Sequence, residues 1–259
     1  MADGSLVYRQ RDLIDRYHVD MKVLLTNDDG VDAPGLEALY QTVRDVVGPK
    51  ATITVVAPHQ CRSECGHGVT SGRPLTVSQR ANGWYLIDGT PVDCVRVAFA
   101  ELAAAPDVVF SGVNAGANLG VDLLVSGTFA AAREAALHGV AAMAISHYRH
   151  PSVPRTWEHV PRWAAATVSE FIDRATQAER SAKGSLLWNV NLPAVDPDLP
   201  TPPTCRCPVD QLPLQRTVTT TGPVIEMAAD FHGRPRAVGS DVERCFGGQL
   251  TISEVDPYV

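Results

Sequence analysis

Short apolar runs closed by turn residues alternate along this chain with stretches whose apolar positions recur every three or four residues. Lys22–Thr26 (KVLLT) is the first such run and ends at Asn27-Asp28-Asp29-Gly30, which predicts a buried strand followed by a turn. Leu36, Leu39, Tyr40, Val43 and Val47 then repeat at helical spacing until Gly48-Pro49 stops the pattern. Thr52–Ala57 (TITVVA) predicts a second strand closed by Pro58. Strand, helix and strand joined by short turns make a parallel pair with a right-handed crossover, the opening of a doubly wound α/β sheet.

The pattern continues with a polar loop over His59–Arg73 and antiparallel strands around Leu75–Val77 and Trp84–Ile87. Pro91–Ala104 reads as a helix with proline in its first turn. Asp107–Ser111 is a buried strand that empties into a glycine-rich loop over Gly112–Ser126. A helix over Thr128–His138, a strand over Ala141–Ser146, a long amphipathic helix over Trp157–Ala178 and a strand over Ser185–Asn191 complete the core. Seven prolines between Pro193 and Pro213 forbid a regular helix or central strand there. Beyond them, Thr217–Val259 alternates weakly and offers short strands such as Gln249–Ser253. The expected division is an extension over 1–20, a Rossmann-like α/β core over 21–192, and a Pro-rich arm with a β-rich oligomerisation segment over 193–259.

Charge and composition narrow the partners. A formal net charge of −7 and the absence of a basic stripe argue against a nucleic-acid polymer. Met1–Asp20 is charged throughout and is no secretory signal, and no apolar run is long enough to span a bilayer. The expectation is a cytoplasmic protein without a membrane partner. Its six cysteines, Cys61, Cys65, Cys94, Cys205, Cys207 and Cys245, are then reduced thiols. The Cys61/Cys65 and Cys205/Cys207 spacings lack the two-residue gap of a zinc knuckle.

Three polar clusters fall at strand ends, where open α/β sheets bind ligands: Asn27-Asp28-Asp29-Gly30, Arg62-Ser63, and the loop from Gly112 through Asn114. Adjacent carboxylates repel unless a cation lies between them. A hard divalent ion such as Mg²⁺ or Mn²⁺ wants such oxygens, and Ser63 and Asn114 add neutral ones. Asn-Asp-Asp-Gly is also an ordinary turn, and the tetrapeptide alone leaves both readings open. The glycines at 112, 116 and 120 do not match the dinucleotide fingerprint. Ser126-Gly127-Thr128 precedes a helix: Thr128 reads as an N-cap, and the same geometry aims N–H groups and two hydroxyls at a docked anion.

Taken in order, these segments resemble the SurE (survival protein E) family. The resemblance rests on KVLLTNDDGVDAPGLEAL (22–39), VVAP with Arg62-Ser63 (55–63), GTPVDCV (89–95), SGVNAGANLG (111–120), SGTFAAAREA (126–135), NVNLP (189–193) and GSDVERCFGGQLTIS (239–253). It implies a three-layer α/β sandwich and a metal-dependent phosphatase of nucleoside 5′-monophosphates, sometimes 3′-monophosphates or short polyphosphate. One divalent ion per subunit would be held by Asp28, Asp29, Ser63 and Asn114, with Asp28 or Asp29 also acting on the attacking water. Asn118 and Ser126-Gly127-Thr128 would contact phosphate; Asn27 and His67 join the candidate substrate-binding residues, and His67, in the loop of Ser63, reads either as a proton donor to the leaving group or as a solvent-facing loop histidine. A C-terminal extension exchanged between subunits implies a homodimer or homotetramer.

Departures from the family pattern are Glu64 in place of glycine, His59-Gln60, and a poorly matching stretch over Thr217–Arg236. They keep open a pathway-specific phosphatase acting on a non-nucleotide metabolite. A rival from another class is a phospho-acceptor regulatory module with Asp88 as acceptor, but it would want a lysine after Ala141–Ser146, where His147 follows.

Overall fold

A computed structural model describes residues 21–63, 65–103, 105–177 and 185–258. The expectations for the 1–20 extension and for Glu64 lie outside the described residues. In chain order the elements are β1 (Lys22–Thr26), α1 (Pro34–Val47), β2 (Thr52–Pro58), β3 (Val77–Gln79) and β4 (Tyr85–Ile87). Then come α2 (Pro91–Val97), β5 (Val108–Asn114), α3 (Gly127–Leu137), β6 (Ala141–His147), α4 (Val160–Gln177) and β7 (Leu187–Leu192). The remainder is β8 (Thr204–Arg206), β9 (Arg216–Thr221), β10 (Val224–Ala229), α5 (Asp241–Phe246) and β11 (Leu250–Glu254).

The main sheet runs β3-β4-β2-β1-β5-β6-β7-β11-β8. Every pair from β4 to β7 is parallel, while β3 and β11 run against their neighbours β4 and β7. Because strand side chains alternate between faces, each central strand feeds two cores. Val23, Leu25, Phe110, Met143, Ile145 and Val190 pack with α1 and α4 on one face. Leu24, Val56, Val109, Ala142, Ala144 and Leu187 pack with α2 and α3 on the other. The expected three-layer, mostly parallel α/β sandwich is what forms. The alanines of α3, Ala130–Ala132, Ala135 and Ala136, are all buried, and their small side chains bring that helix close to the sheet.

Three differences from expectation have local causes. Helix Pro91–Ala104 is α-helical only through Val97, starting in a capping box between Thr90 and Asp93, and continues as a π turn over Ala98–Leu102. Strand β5 runs three residues past Ser111, so Asn114 is its last residue rather than part of a loop. Gly112 permits this: its φ is +140° and an added Cβ would lie 2.2 Å from the Ile145 carbonyl of β6. The C-terminal strand β11 enters the main sheet between β7 and β8, so the sheet crosses the division expected after residue 192. The Pro-rich stretch supplies β8 at the sheet edge, where a missing N–H costs little.

Gly112→Ala should lower stability by roughly 2–4 kcal/mol through the steric conflict with β6 and the unfavourable φ. An unchanged urea midpoint for this variant would show that β5 tolerates a side chain there.

Candidate functional site

Strand β1 is flanked by β2 on one side and β5 on the other, so the chain reverses its direction of winding between β1 and β5. In an open parallel sheet a crevice forms outside the strand ends at such a point. Asp28 and Asp29 leave the end of β1, and Asn114 ends β5.

Asp28 is buried. Its Oδ1 accepts a hydrogen bond from the Thr128 hydroxyl at the start of α3, and the backbone N–H of Thr128 also favours its charged form. The reason for glycine at 127 is contact: a Cβ there would lie 2.9 Å from the Asp28 Cβ and 3.0 Å from its Oδ2. Ser126 is the N-cap, its Oγ accepting from the Phe129 N–H at 3.0 Å. The first N–H groups of α3, which have no partner within the helix, thus open beside the Asp28 carboxylate. The cap is therefore Ser126 and not the expected Thr128, which lies inside the first turn and spends its hydroxyl on Asp28.

Asp29 is half-buried, and its Oδ2 accepts from the Ala115 N–H at 2.9 Å, tying the turn after β1 to the residue after Asn114. Burial is the largest influence on both carboxyls. It raises Asp28 to about 6 even though the Thr128 hydrogen bond opposes it, and the neighbouring Asp29 charge raises it further. Asp29 is also raised by burial, against the Ala115 N–H and the charge of Arg149.

The neutral oxygens are arranged around this pair. The Arg62 N–H donates to the Asp28 carbonyl at 2.7 Å, bringing the Arg62-Ser63 turn to the end of β1; the Ser63 hydroxyl itself pairs with the Cys61 thiol at 3.0 Å. Asn114 commits its Nδ2 to the Gly116 carbonyl at 2.9 Å, which leaves Oδ1 as its acceptor. Asn27 donates to the Gly30 carbonyl at 2.8 Å, while its buried Oδ1 has no partner among the described residues. Among the described residues no three His, Cys, Asp or Glu side chains gather as a metal cluster. One buried and one half-buried carboxylate, with the orphaned Asn27 oxygen and the hydroxyl and amide oxygens of the segments tied to them, fit a hard divalent cation rather than zinc.

Asn118 stands apart from the carboxylates. Its N–H donates to Asn191 Oδ1 at 2.9 Å and its Nδ2 to Ser146 Oγ at 2.8 Å, while its carbonyl accepts from Asn189 and Asn191. The ends of β6 and β7 therefore fix its place in the loop. His67 is otherwise employed than as a leaving-group acid. Its Nδ1 accepts from Arg133 Nε at 3.2 Å, so Nε2 carries the hydrogen that it donates to Glu134 at 2.8 Å. Burial would raise the Glu134 carboxyl, but hydrogen bonds from His67 and Arg96 outweigh it and hold it at about 2. This network clamps the 62–68 loop to α3.

Two features had no place in the sequence reading. Arg149 lies just past β6, half-buried, and its charge acts on Asp29. Beneath it, His147 and His159 meet Nε2 to Nε2 at 2.7 Å. Burial first, then the charge of Arg149, lowers them to about 3 and about 4, so both are neutral. Its position at the carboxyl end of the strand beside β5 was the signal that could have singled out Arg149. Asp88, the rival's acceptor, is exposed and paired with Arg73 at 2.9 Å.

Comparison with known proteins identifies the family. The profile of the family described as Survival protein SurE matches residues 23–208. The protein alr3139 of Nostoc sp., provisionally named a 5′-nucleotidase, is 40% identical over 91% of this chain and 99% of its own length. The 5′-nucleotidase SurE of Neisseria gonorrhoeae is 41% identical over 69% of this chain and 67% of its own. The crystal structure of SurE from Aquifex aeolicus superposes with a TM-score of 0.75 at 25% identity, covering 91% of this chain and 93% of that one. With the profile spanning most of the chain and the same fold in a solved relative, this protein belongs to the survival protein SurE family.

Proposed function

We propose that this chain is a divalent-metal-dependent phosphomonoesterase that hydrolyses nucleoside 5′-monophosphates to nucleoside and phosphate. The observation that carries this reading is the adjacent Asp28-Asp29 pair, buried and half-buried at the β1/β5 switch point and met by the N-terminus of α3. The relatives named 5′-nucleotidase support the substrate class. Asp28, Asp29, Ser63 and Asn114 would hold one Mg²⁺ or Mn²⁺ per subunit. When bound, the ion supplies charge neutralisation and acidifies water.

The chain's own residues do the rest. The Ser126-Gly127 turn offers backbone N–H and the Ser126 hydroxyl to phosphoryl oxygens, the Thr128 hydroxyl being committed to Asp28. Thr128 holds the Asp28 carboxylate in one orientation. A carboxyl raised toward neutrality is suited to orient the attacking water and take its proton. Six free cysteines suit a cytoplasmic location, and no described helix is long and apolar enough to cross a membrane.

The same reading makes the protein a homo-oligomer through the β9–β10 hairpin. Met227 pairs with Val218 and Ile225 with Thr220, so Val218, Ile225 and Met227 share one face. They are 59%, 65% and 69% exposed, an apolar strip of the kind that marks an interface.

The deciding experiment is phosphate release from nucleoside 5′- and 3′-monophosphates and unrelated phosphomonoesters with Mg²⁺, with Mn²⁺ and with EDTA. Release should need the metal, favour nucleotides and fall by at least about 10²–10³-fold in Asp28→Asn. Full activity in that variant would refute the site, and release only from non-nucleotide esters would move the enzyme to a specialised pathway.

A second outcome concerns pH. Since burial raises Asp28 from 3.8 to about 6 in the folded protein, folding favours its protonated form. That contribution is present below about pH 4 and lost as pH rises through about 6. In EDTA, Asp28→Asn should therefore melt above the wild type at pH 8, with the difference gone by about pH 4. Saturating Mn²⁺ at pH 8 should reverse the order, since the ion stabilises only the intact site.

For assembly, light scattering should find a dimer or larger species in the wild type. Replacing Val218, Ile225 and Met227 together by serine should yield a smaller one. A monomeric wild type would overturn the interface.

A further inference from the structure

Arg149 combines features that a structural arginine does not need. Its Nη1 donates to the Thr156 carbonyl at 3.0 Å, and its guanidinium lies 4.0 Å from the centroid of the Trp157 ring. Its Nη2 is buried with no hydrogen-bond partner among the described residues. An unsatisfied buried donor on a cation is costly to keep. Relief close by is not taken: Asp29 bonds to the Ala115 N–H, and Arg149 attracts it without a hydrogen bond.

The plate beneath the guanidinium is itself fixed to the site. Trp157 presses on Gly35, where an added Cβ would lie 2.8 Å from the ring and 1.9 Å from the Val113 carbonyl, the residue before Asn114. The charged and titratable groups facing Arg149 are Asp29, Arg155, His147 and His159. Both histidines are neutral, so Asp29 is the sole anion of this set. A guanidinium held by one nitrogen and stacked on an indole keeps a second N–H in a set direction, which suits phosphate recognition.

Resting on the phosphatase reading above, we propose that Arg149 is a substrate-binding residue whose Nη2–H donates to a non-bridging oxygen of the substrate phosphate, with Trp157 and the Thr156 carbonyl as its positioning groups. The phosphate would then be gripped from two sources: the α3 N-terminus beside Asp28 and Arg149 beside Asp29. The relatives' names do not speak to this residue.

The test compares wild type, Arg149→Met and Arg149→Lys at saturating Mn²⁺, measuring kcat and KM for a nucleoside 5′-monophosphate, competitive inhibition by inorganic phosphate, and melting temperature. Arg149→Met should lose about 10- to 100-fold in kcat/KM, as expected for one charge-assisted hydrogen bond, and weaken phosphate inhibition in parallel. Arg149→Lys, which keeps the charge without the fork, should recover part of both and also serves if the methionine variant folds poorly. Unchanged phosphate inhibition in a folded variant, or a loss fully restored by more Mn²⁺, would overturn the proposal and leave Arg149 a counter-ion for Asp29. If the wild type hydrolyses no phosphomonoester, the phosphatase reading fails by itself. Calorimetric titration of inorganic phosphate into wild type and Arg149→Met would then still decide whether Arg149 binds phosphate.

Discussion

Two carboxylates on consecutive residues, taken out of water at the end of a central strand, are the constraint around which this molecule is arranged. Asp28 is buried and raised to about 6, and Asp29 is raised beside it. Such a pair is unfavourable in isolation, because burial and mutual repulsion both penalise its charge. It persists because the fold surrounds it with positive ends and donors: the N-terminus of α3, the Ala115 N–H and the charge of Arg149. The destabilisation is local and the stabilisation comes from three separate segments of chain, a usual arrangement where stability yields to function.

Those segments need fixing in turn, and the supports are visible. Glu134 on α3 collects His67 and Arg96, binding the loop that carries Ser63 to the helix that carries Thr128. The ends of β6 and β7 hold Asn118 through Ser146, Asn189 and Asn191. From the far end of the chain, buried Asp241 accepts from the Gly120 N–H at 2.9 Å and from the Asp210 N–H at 2.8 Å. Arg234 pairs with Asp122. The C-terminal segment thus braces the loop between β5 and α3 besides adding β11 to the sheet. A hydrogen-bonded brace of this kind limits how far the site's loops can shift when a ligand enters.

Much of this was legible in one dimension. Strand β1 has the bounds that its apolar run predicts, and β2, α1, α3, β6 and β7 lie within a residue or two of expectation. The motif Asn27-Asp28-Asp29-Gly30, together with the Ser126-Gly127-Thr128 turn before α3, located the crevice, although the cap proved to be Ser126 rather than Thr128. What escaped was less local. The β9–β10 hairpin is exposed on both faces, so it lacks the half-buried alternation by which strands are recognised. His67 looked like a free loop histidine because its partners, Arg133 and Glu134, lie 66 and 67 residues away. Arg149 drew no reading from the sequence, because its significance comes from Trp157 under it and the nearby charge of Asp29.

By itself the sequence determined the core elements, the turn that carries two carboxylates, the turn that opens α3, and the oxygen character of the donors, since propensity, turn preference and ligand chemistry are properties of residues and near neighbours. Only the tertiary structure decided that Thr128 would meet Asp28, that Ala115 would meet Asp29, that His67 would be spent on Glu134, and that β11 would pair with β7. Burial and charge proximity depend on which distant segments pack together, and local periodicity carries no record of that. The chemistry available was written along the chain, and its placement, with the pKa values that follow, belongs to the fold.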